Sequence, residues 1–278
     1  MILLTGSSGF IGKNLLQKLS KDVICFDLQE DNNILDKDRI EAVFIHNKID
    51  TVIHLAAIPG VGYSIEHSQE VTETNVTGFD ILAKLAVEYG VKHFIYASSS
   101  SVYGDGGKIK SPYALSKKMN EMQAEMYSKM SGTKFTGLRF FTVYGPGIRK
   151  DLAVSKFITA IMNNEPIHVY GDGSQSRDFT YVDDVCDSII AVMNSDKQWT
   201  HEVFDVGYGE SVTVNDLISI LKDILNPDYD KVIYEDEKMY DVKHTLSDTN
   251  KLYTWFDIKP KYSVKEGLNK WLIPAYLQ

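Results

Sequence analysis

Residues 1–19 read MILLTGSSGFIGKNLLQKL, and this stretch decides the fold. Ile2 to Leu4 form a short apolar run suited to a buried strand, and Leu15, Leu16 and Leu19 recur at helical spacing. Between them stand Gly6, Gly9 and Gly12. A strand that passes through a glycine turn into a helix opens a dinucleotide-binding βα unit. Gly6 allows the tight turn, Gly9 lets a ligand approach the backbone, and Gly12 permits close packing of helix on sheet. The free N–H groups at the helix start, around Phe10 and Ile11, then face an anion such as a pyrophosphate.

The following segments extend this unit. A second strand, Val23 to Phe26, ends at Asp27, roughly 20 residues beyond the first glycine, where a carboxylate binds both hydroxyls of an adenosine ribose. The same carboxylate repels a 2′-phosphate, which favours NAD over NADP. A helical stretch from Arg39 to His46 leads into TVIHLAA (residues 51–57), and beyond Leu55 the small Ala56 and Ala57 leave room for a dinucleotide across the sheet edge. His54 reads as a core histidine. A helix over Glu73 to Tyr89 carries Asn75 near its start, and KHFIYASSS (92–100) brings Ser98 to Ser101 to the carboxyl edge, where doubly wound sheets bind ligands. Alternating βα units imply a parallel sheet with helices on both faces.

Chemistry concentrates in ASSSSVYGDGGKIKSPYALSK, residues 97–117. Ser111 and Pro112 suit a helix cap and first helical position. Tyr113 and Lys117 therefore fall at i and i+4 on one face. Lowering a tyrosine pKa from ~10 to ~7 requires roughly 4 kcal/mol of selective phenolate stabilisation, which an adjacent lysine and a bound cationic cofactor ring could supply together. Tyr113 would then take a proton from an alcohol while a hydride leaves the carbon. The same helix carries Leu115, Met119, Met122, Met126 and Met130 as nearly one stripe.

Composition excludes several classes. With 278 residues and 44% hydrophobic content the chain can bury a substantial core. A net charge of −9 disfavours nucleic acid or an anionic membrane as main partner. Cys25 and Cys186 each lie in an apolar segment, which argues against a disulfide scaffold or a cysteine-based zinc site. No stretch approaches the ~18 apolar residues of a membrane span, and the first residues run straight into a strand, so the expected compartment is the cytoplasm.

Together, TGSSGFIG, HLAA, TNVTGF, SSSSVYG with YALSK, RFFTVYGP and GDGSQSRDFTYVDDV resemble the extended short-chain dehydrogenase/reductases, specifically the nucleotide-sugar epimerases and dehydratases. The resemblance covers almost the whole chain. It implies an α/β fold: a Rossmann-type doubly wound sheet over residues 1–150, with about 174–206 returning to it, and a smaller nucleotide-sugar domain from about 151–173 and 207–278. It implies NAD as cofactor, a UDP-sugar as substrate, no metal, and a homodimer packed through the methionine-bearing helix and its predecessor. By motif matching Ser99 takes the place of the catalytic serine or threonine, Tyr113 that of the base, and Lys117 holds the nicotinamide ribose. On the substrate side the match gives Tyr170 as an aromatic face for uridine and Arg177 as a bidentate partner of the diphosphate. Lys238 and Asp241, in KMYD, stand where relatives carry an RxGD segment. Asn33, followed by Ile34, stands where an aspartate often meets the adenine.

The reaction implied is a transient oxidation. Dehydratases of the family carry an Asp-Glu pair just after the catalytic threonine, where this chain has Ser100 and Ser101, so 4-epimerisation through a 4-keto sugar is favoured over elimination. An NAD-binding protein without turnover is the reading from a different class. For the sugar, RFFTVYGPGIRKDLA resembles the UDP-glucuronate 4-epimerases, with Thr142 replacing an asparagine of the UDP-glucose enzymes and Arg149 matching the arginine that contacts the sugar carboxylate. A buried carboxylate must be paired, and Ser100, Ser101, Thr142 and Arg149 together offer donors and one full charge. A neutral sugar is expected to leave Arg149 unpaired. Gly62 departs from the pattern, since relatives commonly have arginine there, which keeps UDP-glucose/UDP-galactose or their N-acetyl forms as the alternative. Two further departures are a loop of only ten residues between Val102 and Tyr113 and a short passage from the second strand to the third.

Overall fold

A computed structural model describes residues 1–20, 22–237 and 242–276 of the chain. Its strands are β1 (Ile2–Thr5), β2 (Val23–Phe26), β3 (Thr51–His54), β4 (His93–Ser99), β5 (Lys134–Phe140), β6 (Thr142–Tyr144), β7 (Ile167–Tyr170), β8 (Ser176–Tyr181), β9 (His201–Val206), β10 (Ser211–Thr213) and β11 (Val232–Glu235). The helices are α1 (Phe10–Leu16), α2 (Lys37–His46), α3 (Val61–Glu66), α4 (Ser68–Thr72), α5 (Gly78–Glu88), α6 (Pro112–Met130), α7 (Ala153–Asn163), α8 (Val182–Met193), α9 (Val214–Leu225), α10 (Asn250–Phe256) and α11 (Val264–Tyr276).

Six parallel strands form the main sheet in the order β2-β1-β3-β4-β5-β9. Its strands are near-continuous apolar runs because both faces are covered, as parallel sheets require. One face packs Phe26, Phe79, Phe94, Tyr96 and Phe135 beneath α2, α5 and α6. The opposite face packs Leu4, Ile53 and Leu138 against α1 and α8, through Leu15, Val185 and Ile189. Phe94 is fully buried in this array, so Phe94→Ala would cost about 3 to 5 kcal/mol in lost burial and cavity formation. The large parallel sheet flanked by helices is the Rossmann-type architecture. Because the passage after β2 holds only a short turn and α2, no strand lies outside β2 among the described residues, and β2 is the edge.

A third core gathers α7, α9, α11 and the smaller sheets around Phe157, Phe179, Leu217, Leu221 and Leu268. There β8 pairs parallel with β6 and antiparallel with β10, while β7 pairs parallel with β11. Asp178 ties this region to the end of β9. Its carboxylate is wholly buried and accepts the N–H groups of Tyr208 at 2.8 Å, Gly209 at 3.0 Å and Ser247 at 3.1 Å.

The helix expected over Glu73 to Tyr89 differs in detail. Helical structure already begins at Ser68, widens into one π turn over Glu73–Thr77, and continues as α5. The wide turn surrounds buried Asn75, whose amide accepts from Ile58 N at 2.8 Å and donates to Ile58 O at 3.0 Å and Ser116 Oγ at 3.1 Å. Such single π turns disrupt the i→i−4 ladder and gather at functional sites.

Candidate active site

The glycine turn is built as the sequence demands. Gly6 sits at φ +72°, and a Cβ there would lie 2.6 Å from Ala56 N. At Gly12 a Cβ would fall 2.2 Å from Gly6 O, so any side chain would push α1 off the sheet. Leu55 N donates to Thr5 O at 3.1 Å and Ala56 N to Thr5 Oγ1 at 3.3 Å, which holds the Leu55–Ala57 strand end against this turn. Phe10 and Ile11 open α1 beside a cleft lined by Ser8, Gly9, Lys13, Asn14 and Gly147. Asp27 is nearly buried; its two carboxylate oxygens accept Ser8 N and Gln29 N, each at 2.9 Å. The carboxylate is therefore fixed against the glycine loop, with lone pairs left for hydroxyl donors. Asn33 caps the next turn by accepting Leu35 N at 3.0 Å. Ile34 is buried, and its side chain lies where a Cβ on Gly78 would sit.

These features fit a dinucleotide such as NAD. The turn's backbone is stripped of side chains where a pyrophosphate approaches, the acidic strand end is in place, and the buried Ser7 hydroxyl has no hydrogen-bond partner among the described residues.

Ser99, Tyr113 and Lys117 come together beyond β4. Ser99 is the last residue of the strand in extended conformation; its Oγ accepts Ser101 N at 3.1 Å and so starts the one-turn 3₁₀ segment Ser100–Tyr103. Ser111 caps α6 by accepting Ala114 N at 3.1 Å, with Pro112 first in the helix, as the spacing predicts. The Tyr113 phenol lies within the influence of the Ser99 hydroxyl. Lys117 is buried, donates from Nζ to Ala97 O at 2.9 Å, and lies 6.0 Å from the Tyr113 ring centroid. Burial pushes its ammonium down to about 8. Burial also raises the Tyr113 phenol above its ordinary value, outweighing the opposing effects of the Ser99 hydroxyl and the Arg149 charge. The protein alone thus holds Tyr113 protonated, and the stabilisation that would free its proton must come with the bound cofactor and substrate.

One turn beyond Lys117 on α6, Glu121 anchors a charge network absent from the sequence reading. It accepts Ser98 Oγ at 2.8 Å and both ends of the Arg139 fork, at 2.7 and 2.9 Å. Arg139 donates onward to Tyr103 OH at 2.6 Å, and Tyr103 donates to Asp205 Oδ1 at 2.7 Å. Burial pushes the Glu121 carboxyl up, but the Arg139 bonds and charge hold it below its usual range. The network joins α6 to β4, β5 and β9 and frames the Ser99 turn from behind. The sequence signal for it was the continuation of the Tyr113, Lys117 face by one more i+4 step.

Thr142 opens β6 opposite Phe179 of β8, and Arg177 lies two residues before Phe179 on that strand. Arg177 donates to Ser176 O at 2.9 Å. Tyr170 ends β7 and lines a second cleft with Asp172, Gln175, Glu237 and Lys243. Lys238 and Asp241 lie outside the described residues. Arg149 is close enough to bias Tyr113, and a Cβ on Gly60 would lie 3.4 Å from its Nη2. It does not stand alone: Arg149 Nε donates to Asp151 Oδ1 at 2.9 Å and Nη2 to Asp151 Oδ2. The expectation that a neutral sugar leaves Arg149 unpaired therefore fails, because this loop carries its own carboxylate. His54 is a core histidine as expected, buried against Thr5 Oγ1 at 2.7 Å and driven down to about 3 by burial.

Residues 2–207 match the model of the NAD dependent epimerase/dehydratase family. A UDP-glucuronate 4-epimerase of Thermodesulfobacterium geofontis is 33% identical over 86% of this chain and 76% of its own. Among solved structures, the UDP-glucuronic acid 4-epimerase of Bacillus cereus, in complex with UDP-glucuronic acid and NAD, superposes with a TM-score of 0.90 at 29% identity, over 100% of this chain and 99% of that one. The UDP-glucose 4-epimerase of Thermotoga maritima with UDP-glucose gives a TM-score of 0.92 at 30% identity, with the same coverage.

Proposed function

We propose that this chain, which belongs to the NAD dependent epimerase/dehydratase family and is an NAD-dependent isomerase, interconverts UDP-hexuronates at C4, UDP-glucuronate with UDP-galacturonate. The observation that carries the 4-epimerase reading is the gathering of Ser99, Tyr113 and buried Lys117 at the end of β4, beside a turn shaped for a dinucleotide. Gly6, Gly9, Phe10, Ile11 and Gly12 would cradle the cofactor diphosphate, Asp27 the adenosine ribose, and Lys117 the nicotinamide ribose. When bound, NAD supplies a hydride acceptor that returns the hydride to the same carbon. Tyr113 takes the proton of the 4-hydroxyl and later gives it back, while Ser99 steadies the oxygen as its bond order changes. Ser100 and Ser101 have no acid or base strength for eliminating a neighbouring hydroxyl, so the sugar keeps its substituents.

Arg149 supports the acidic sugar, since its charge reaches Tyr113. The specificity reading is tested by product NMR after incubation with UDP-glucuronate and with UDP-glucose. Arg149→Ala should lower kcat/KM for UDP-glucuronate roughly 10- to 150-fold, the worth of one charge-assisted bond. Ready epimerisation of UDP-glucose with no action on UDP-glucuronate would overturn the choice of sugar and leave the reaction standing; the relative that binds UDP-glucose keeps that alternative open.

The division into an NAD-binding part and a nucleotide-sugar part belongs to the same proposal, supported by separate hydrophobic cores about the six-stranded sheet and about α7, α9 and α11. So does homodimerisation: Leu115, Met119, Met122, Met126 and Met130 are exposed along α6, and flexible methionines suit a helix seam. A cytoplasmic setting is consistent with two free thiols, Cys25 and Cys186. Among the described residues no helix is long and apolar enough to cross a membrane.

A further inference from the structure

Arg149 and Asp151 are two residues apart in the loop between β6 and α7, closed by Leu152 N donating to Arg149 O at 3.3 Å. The turn brings both side chains to one side, and the Asp151 carboxylate covers the Nε–Nη2 edge of the guanidinium. Asp151 is 60% exposed and Arg149 32%, so the inner member of the pair is the cation and the outer member the anion. The hydrogen bond from Arg149 holds the Asp151 carboxyl below its usual range, so Asp151 faces the guanidinium as a carboxylate at neutral pH. Opposite stands Gly60, without a side chain to fill the space beside Nη2.

We infer that Asp151 is an internal counter-carboxylate that sets the selectivity of the sugar pocket: it neutralises Arg149 beneath a neutral hexose and competes for it when the sugar carries a carboxylate. With a neutral sugar the guanidinium keeps a partner and no desolvated charge is stranded. With a hexuronate, the substrate carboxylate takes the free edge of the fork or displaces Asp151, and in either case meets the repulsion of a second anion. The site is therefore permissive toward both sugars, at the expense of affinity for the acidic one. Asp151 touches neither cofactor nor reacting atoms; it acts through Arg149.

This inference rests on the proposed contact of Arg149 with the sugar, and binding tests it separately from turnover. In the Tyr113→Phe holoprotein, whose turnover should be slow on the scale of a titration, dissociation constants for UDP-glucuronate and UDP-glucose are measured by calorimetry, with and without Asp151→Asn. Because the pair is partly exposed, neutralising Asp151 should shift the affinity ratio toward UDP-glucuronate by roughly three- to tenfold. Asp151→Glu, which retains the charge, should hold the ratio within about twofold of the parent. A ratio that stays put in Asp151→Asn, or moves toward UDP-glucose, overturns the inference and makes Asp151 an orienting partner of Arg149. Lack of UDP-glucuronate turnover by the wild-type enzyme would count against the substrate reading alone, since the ratio is still measured.

Discussion

Replacing Lys117 by methionine separates what this residue does for the reaction from what it does for the fold. Lys117 is 3% exposed, and among the described residues its ammonium has one acceptor, the neutral Ala97 O. Its value of about 8, against an ordinary 10.5, means that folding disfavours the charged form. That gap is worth about 3 kcal/mol. Between pH 8 and 10.5 the unfolded chain holds the lysine proton and the folded one does not, so wild-type stability rises with pH across that window. Below pH 8 both states are protonated and the folded state carries the full penalty. Methionine fills similar volume without charge and loses a hydrogen bond worth about 1 kcal/mol. Cofactor-free Lys117→Met should therefore be more stable than wild type by about 2 kcal/mol at pH 7, and the advantage should vanish by pH 10 while turnover is lost throughout. Urea unfolding of both proteins at pH 7, 8, 9 and 10 measures this. A stability difference that is flat with pH would show that burial does not oppose the charge on Lys117, and the account of the site's electrostatics would fail.

Three other outcomes are expected. Tyr113→Phe should lower kcat by roughly 10²- to 10⁴-fold, the usual contribution of a positioned acid–base group, with NAD binding by fluorescence titration nearly intact; turnover within a few-fold of wild type would mean another base. Calorimetric titration of cofactor-free protein should show NAD bound in preference to NADP, with the preference lost in Asp27→Ala, and equal affinities in wild type would remove Asp27 as the discriminator. Arg139→Met should destabilise the fold by about 1 to 3 kcal/mol in chemical denaturation because it leaves buried Glu121 with Lys118 as its remaining ion partner, at 3.1 Å, and Arg139→Met with Glu121→Leu should regain much of that loss; a double variant no more stable than the single one would contradict the pairing.

The parts of the fold written in local pattern were legible. The glycine turn, Asp27 at a strand end, and the Ser111-Pro112 start of α6 each follow from steric or capping rules that act within a few residues, and each stands where the spacing puts it. Asn75 was visible as a polar residue near a helix start, but the π turn around it was not, since that widening answers to Ile58 and Ser116, distant in sequence. The Glu121–Arg139–Tyr103–Asp205 chain was hidden for the same reason: its members sit on four elements, and only β4–β5–β9 pairing makes them neighbours. The error at Arg149 was of another kind. Asp151 was in plain view two residues away, and whether two side chains at that spacing meet depends on the turn between them.

The proposed reaction oxidises and re-reduces C4 with one hydride that never leaves the enzyme. Wild-type holoprotein incubated with UDP-glucuronate deuterated at C4, in ordinary water, tests it by ¹H and ¹³C NMR of the products. UDP-galacturonate with deuterium retained at C4 and no solvent hydrogen incorporated at C3 or C5 is the expected product, and UDP-[4-²H]glucose run alongside separates the choice of sugar from the chemistry. Inverted product that has lost its C4 label to water, a 6-deoxy-4-keto product from UDP-glucose, or a decarboxylated 4-keto pentose from UDP-glucuronate would contradict it.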